Sequence, residues 1–282
     1  MSAPTAVLFD VPGPKARARN GVLGVVAVVV VAALLAFVIV RLAATGQFDG
    51  AVWEWILYEN IQLALLEGLG NTLRAFAAGA VLALVFGAVF ALGRLSDHAW
   101  VRGISTAVVE FFRAVPLVVL MFIFYFGMPS VGVTVSTFTA VVVGLTLYNG
   151  SVLAEIFRSG VQAVPRGQSE AAYALGMRKS AVMRFVLLPQ AIRSMLPTIV
   201  SQLVVLLKDS ALGFLILYPE LLYQARVLGS SGQLGRPLLP VAFVVAVVYI
   251  TLCLLLTLLA NRLEARTRRS AAATPVPVDG GA

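Results

Sequence analysis

Residues 159–197 read SGVQAVPRGQSEAAYALGMRKSAVMRFVLLPQAIRSMLP, and this stretch sets how the rest of the chain is read. It is too polar to cross a membrane and too patterned to be slack. Predominantly apolar runs flank it on both sides. Pro165–Arg166–Gly167 predicts a turn. Ser169 is placed to cap a short helix over Glu170–Leu175, whose Glu, Ala and Leu are good helix formers. Gly176 sits where a left-handed residue would end that helix. A second helix is predicted over Lys179–Leu188, limited by Pro189. Two short helices around a glycine corner make a compact knob. Such a knob suits docking into a groove on a partner, with Glu170 available to an arginine there. A hairpin that only joins two spans satisfies the composition equally.

Working outward, an apolar run of about 20 residues matches the thickness of a bilayer core when helical. Six such runs are present: Val22–Leu42, Leu73–Leu92, Ile104–Gly127, Phe138–Phe157, Ile199–Tyr218 and Leu238–Ala260. The third is interrupted by Glu110 and Arg113. The reading is an all-α polytopic membrane protein with six transmembrane helices. The composition agrees: of 282 residues, 60% are apolar and 12% charged, with a mean hydropathy of +0.96. A soluble domain carries about a quarter charged residues to cover its surface, so a soluble enzyme is excluded. The lone Cys253 and lone His98 give no basis for an intrachain disulfide, a zinc or iron–sulfur site, or a histidine-rich catalytic centre. No catalytic, cofactor or metal residues are expected. The first run exceeds the length of a signal-peptide core, so it reads as an uncleaved anchor.

The net charge of +8 would suggest nucleic acid in a soluble chain. Its distribution says otherwise. With the N-terminus inside, the cytoplasmic segments hold Lys15, Arg17, Arg19, Arg94, Arg102, Arg113, Arg158, Arg166, Arg178, Lys179, Arg184, Arg193, Arg262, Arg266, Arg268 and Arg269. The outside segments hold Arg41, Arg226 and Arg236, with Arg74 at the boundary. That asymmetry favours both termini in the cytoplasm and makes the basic balance a matter of topology. The layout is then a cytoplasmic tail over 1–21, a first helix over 22–42, an external loop over 43–70, a core over 71–262 containing the cytoplasmic loop 158–198, and a cytoplasmic tail over 263–282. Trp53, Trp55 and Tyr58 predict an interfacial helix over Trp53–Leu66. The Ala/Pro/Gly-rich end from Ser270 to Ala282 is expected to be disordered.

Polar residues inside spans are costly and point to function or pairing. Lys208 and Asp209 fall about halfway along the fifth run, Asn149 near the middle of the fourth, and Glu155 towards its cytoplasmic end. An amino acid carries an ammonium and a carboxylate, which such groups can bind. Neighbouring helical residues point about 100° apart, so Lys208 and Asp209 cannot both face one small ligand. Gln202 shares the face of Asp209, and Ser201 that of Lys208. Direct substrate contact and a structural pair both fit. Glu110 and Arg113 are spaced to pair across one turn. Gly79, Gly87 and Gly93 permit close helix packing.

The run Glu170–Ala171–Ala172, three residues, Gly176, nine residues, Val186, one residue, Leu188–Pro189 resembles the EAA loop of ABC-importer permeases, EAA-x3-G-x9-I-x-L-P, with Val in place of Ile. Phe112–Arg113–Ala114–Val115–Pro116–Leu117, Tyr148–Asn149–Gly150 to Glu155, Val164–Pro165–Arg166–Gly167–Gln168 and Lys208–Asp209–Ser210–Ala211–Leu212 are similar to segments of the polar amino-acid subfamily. The N-terminal span resembles that of actinobacterial glutamate-uptake permeases. The resemblance covers roughly Gly68 to Arg262 and implies a type I importer core of five helices behind one extra helix. It also implies that Glu170, Ala171, Ala172, Gly176, Leu188 and Pro189 couple to a separate ATPase dimer, where ATP binds. A second permease subunit, an extracytoplasmic amino-acid-binding protein and the bacterial cell membrane complete the implied surroundings. Asn149, Glu155, Lys208 and Asp209 are the substrate-pathway candidates, for glutamate or a similar amino acid. The chain has no G-x4-G-K-[ST] phosphate loop; Gly176–Met177–Arg178–Lys179–Ser180 lacks the glycine before Lys179. An ion-coupled secondary transporter is the alternative, and it would show internal repeats or paired broken helices. A membrane-embedded enzyme would need a constellation of His, Ser or paired carboxylates at one depth.

Overall fold

The computed structural model describes residues 13–272. It divides into two compact units that part between Trp55 and Ile56. The first holds helix α1 (Pro14–Ala44), which begins on a proline whose missing N–H costs nothing at a helix start. None of its residues is buried, and its long valine and alanine run is apolar on every side. Thr45 ends it, with its Oγ1 donating back to the Arg41 carbonyl at 3.0 Å. The helix starts within the stretch expected to be a tail.

The expected interfacial helix over Trp53–Leu66 does not form as one element. A 3₁₀ segment covers Gly50–Leu57, and a new helix begins at Glu59. The first turns of that helix, α2 (Glu59–Arg94), absorb the rest of the stretch. At 36 residues, α2 is about 54 Å long, well beyond the thickness of a bilayer core.

The second unit is built on α2 and α5 (Thr137–Gln162). Ala75, Gly79, Ala80, Ala83, Gly87 and Ala91 are buried along one face of α2 at helical spacing. Their small side chains let the two backbones approach, which is how helices associate where lipid removes the hydrophobic drive. Gly87 is one of the tight points on this seam: a Cβ there would lie 2.8 Å from Leu153 Cβ and 3.1 Å from the Gly150 carbonyl. Around this seam Val141, Leu145, Leu153, Leu206, Met121 and Ile216 form the core. Ser136 starts α5 with a side-chain cap, its Oγ accepting from the Thr139 amide at 3.1 Å.

The third expected span is not straight. Helix α3 (Ala99–Ala114) is followed by α4 (Leu117–Phe122), and the two segments Ala99–Ala114 and Leu117–Val131 meet at 96°. Pro116 cannot donate a backbone hydrogen bond, and it forces Val115 into an extended conformation (φ −84°, ψ 126°). Among the described residues, five helices are long and apolar enough to span a membrane, or six if the bent pair counts as one span.

Beyond α5 lie α6 (Arg166–Ala174), α7 (Lys179–Ala181), a π-helical turn over Val182–Leu187, and α8 (Leu188–Asp209). Pro189 does not limit a helix here. It sits in the first turn of α8, just after the π turn, whose wider bonding absorbs the missing donor. Helix α8 starts well before the expected fifth span and gives way at Ser210 to a 3₁₀ segment, Ser210–Ile216, closed by Leu217 in the left-handed conformation (φ 62°). Helix α9 (Leu221–Gly229) is capped by Glu220, whose carboxylate accepts from the Leu222 and Tyr223 amides at 2.8 and 2.7 Å. The last helix, α10 (Leu238–Ala272), packs on α8 and α9. It carries Ser270–Ala272 as helix rather than as part of a disordered tail. The rest of that tail, 273–282, lies outside the described residues, as do residues 1–12.

Candidate functional site

The loop after α5 folds into the expected knob, with different capping. Helix α6 starts directly after the extended Pro165, and Ser169 lies inside it, its Oγ donating to the Arg166 carbonyl at 2.8 Å. Ser169 is therefore not the cap, because the proline turn begins the helix three residues earlier. Gly176 ends it in the left-handed conformation (φ 77°). Its amide donates to the Tyr173 carbonyl at 2.9 Å, and the Met177 amide reaches back to Ala172 at 3.2 Å, the paired bonds of a Schellman end. Ala172 is buried where α6 packs on the π turn, and Val182 is buried in that turn. Glu170, Ala171 and Gly176 are exposed. So are two large apolar side chains, Leu175 at 83% and Tyr173 at 48%. Leu188 and Pro189 stand at the start of α8, tied to α6 by the Gln190 Nε2 to Gln168 Oε1 bond of 3.3 Å. Lys179 forms an ion pair with Asp97 in the turn between α2 and α3. That hydrogen bond, and then the lysine's charge, hold the Asp97 carboxyl below its ordinary value.

The mid-span candidates separate into two faces. Asn149 is fully buried and joins two helices: its Nδ2 donates to Asp209 Oδ2 at 3.2 Å, and its Oδ1 accepts from Gln202 Nε2 at 2.7 Å. Gln202 and Asp209 do share a face of α8. Lys208 points elsewhere, into an open groove of about 550 Å³ lined by α9 and α10, including Leu222, Tyr249 and Ile250. The structure therefore brings Asn149 and Asp209 together and leaves Lys208 apart from them.

Glu155 belongs to a third group, at the ends of the helices nearest the knob. Its Oε2 lies 3.0 Å from Arg94 Nη1, and its other oxygen pairs with Arg158. Arg94 Nη2 lies 3.2 Å from Glu110 Oε1, which also pairs with Arg113 at 3.2 Å. The Glu110–Arg113 pair follows from spacing alone. The Glu155–Arg158 pair has the same spacing and was equally legible. The role of Arg94, which links carboxylates on two other helices, was not, because only folding brings those helices together. Among the described residues, no group of three or more His, Cys, Asp or Glu is placed to hold a metal ion.

Residues 83–269 match the model of the binding-protein-dependent transport system inner membrane components. The chain belongs to that family. The permease is 41% identical over 231 residues to the glutamate transport system permease protein GluD of Corynebacterium glutamicum, covering 80% of this chain and 84% of that one. It is 34% identical over 215 residues to the probable glutamine ABC transporter permease protein GlnM of Bacillus subtilis, covering 76% and 98%. Its fold matches the crystal structure of an amino acid ABC transporter with histidines at a TM-score of 0.67 and 30% identity, over 73% of this chain and 94% of that one. It also shares the fold of the MetNI methionine ABC transporter in inward-facing conformations, at a TM-score of 0.62 and 22% identity, over 74% and 99%. The permease is thus a multi-pass membrane subunit of an ABC transport system.

Proposed function

We propose that the permease forms the translocation pathway of an ATP-driven importer for a polar amino acid, with glutamate the favoured substrate. The observation that carries this is the cytoplasmic knob: a short helix with an exposed Glu170, ended by a left-handed Gly176, presenting Tyr173 and Leu175 outward. An exposed apolar pair beside a carboxylate suits a groove on a second protein. Glu170, Ala171, Ala172 and Gly176, with Leu188 and Pro189 behind them, then couple the permease to a separate ATPase dimer that binds and hydrolyses ATP. This chain performs no hydrolysis itself. ATP shifts the transport cycle only by binding one arrangement of the subunits more tightly than the other, and the knob is the contact through which that difference reaches the spans. A second permease subunit and an extracytoplasmic binding protein complete the assembly, with both termini of this chain in the cytoplasm. Asn149, Glu155, Lys208 and Asp209 line or support the pathway. The identity to a glutamate permease supports the substrate. The test is ATP-dependent uptake of labelled glutamate into vesicles holding the permease with its ATPase and binding protein. ATP-independent uptake driven by a sodium or proton gradient would instead favour a secondary transporter.

A further inference from the structure

The cytoplasmic ion pairs close a ring through the fold. Starting at Glu155 on α5, the chain runs on through α6 to Lys179 at the start of α7. The ion pair of Lys179 with Asp97 crosses to the turn between α2 and α3. Three residues back along that chain stands Arg94, the last residue of α2, whose Nη1 returns to Glu155 at 3.0 Å. The other arm of the same guanidinium holds Glu110 on α3 at 3.2 Å. The Arg94 side chain is only 9% exposed, whereas Asp97 and Lys179 are 75% and 48% exposed. Arg94 Nη2 donates to Glu110, while Nη1 meets Glu155 as a charge contact without hydrogen-bond geometry. The wide, delocalised guanidinium places charge against both helices, where the compact ammonium of a lysine would reach one. We propose that Arg94 is a positioning residue that makes the knob and the cytoplasmic ends of α2, α3 and α5 move as one body. A displacement imposed on the knob then reaches three helices at once, through Lys179, Asp97 and Arg94, as well as along the covalent chain.

The inference rests on the proposed coupling to an ATPase, and its measurement is uptake per ATP hydrolysed by the full complex in vesicles. Reversing either member of the exposed pair, by Asp97→Lys or Lys179→Asp, is expected to lower that ratio by about two- to fivefold, the range of an exposed ion pair. The double reversal restores it, which a general loss of structure would not do. Arg94→Gln lowers the ratio by about tenfold or more, and Arg94→Lys recovers only part of it. Pulsed distance measurements between spin labels on α3 and α5 should broaden in Arg94→Gln while the α2–α5 distance holds. If Arg94→Gln does not accumulate, the exposed pair decides. A coupled wild type with unchanged ratios in both single reversals overturns the role of the ring. A wild type with no ATP-dependent uptake overturns the proposed function itself.

Discussion

Gly176 shows how much one backbone conformation can carry. Its φ of 77° is open to glycine but costs any L side chain about 1 kcal/mol or more. A Cβ there would meet nothing within 4 Å, so that cost is purely conformational. Gly176→Ala should therefore lower uptake only modestly. Gly176→Pro should abolish it, because proline fixes φ near −65° and removes the amide that bonds to Tyr173. Both variants should still reach the membrane, as immunoblots of membrane fractions will show. Asn149 poses a different problem. Among the described residues it is the side chain that bonds to both Gln202 and Asp209, and it is itself fully buried. Asn149→Ala leaves both unpaired and should destabilise the purified protein by about 1–3 kcal/mol, read as a lowered midpoint of thermal unfolding in detergent. If the midpoint is unchanged, the bridge is not holding α5 to α8.

At the scale of elements, the seam between α2 and α5 sets the tolerance of the bundle. Gly87→Val places new atoms within 2.8 Å of Leu153 and 3.1 Å of a backbone carbonyl that cannot yield. It should cost about 1–3 kcal/mol by overpacking. Gly70→Ala, on the same helix with nothing within 4 Å, should be neutral or slightly stabilising. Equal thermal midpoints for the two variants would mean that close packing at Gly87 is not what joins these helices. The breaks between elements were partly legible in the sequence. The third run reads as one span through Pro116, whose missing donor instead ends a helix, and the 96° bend that follows depends on where α4 packs against α5. Pro189 was misread because a π turn just before it removes the conflict that would otherwise end the helix. Ser169 was misread because the preceding Pro165 starts α6 earlier than any side-chain cap could.

For the whole molecule, the charge asymmetry between segments makes a prediction about orientation. Reporters fused at the two ends should both be active in the cytoplasm, and an externally active reporter at either end would overturn the proposed topology. The apolar runs alone determined that the chain is a helical membrane protein, because a bilayer admits few ways to satisfy a buried backbone and each run has the length of one crossing. Local chemistry likewise determined the knob's glycine corner and the Glu110–Arg113 pair, since each depends on neighbours a few residues away. The union of Asn149 with Asp209, the separation of Lys208 from both, and the double grip of Arg94 were decided only by tertiary structure. Each joins or parts groups on different helices. Helical spacing says which side chains share a face, but only the packing of one helix on another says what that face meets.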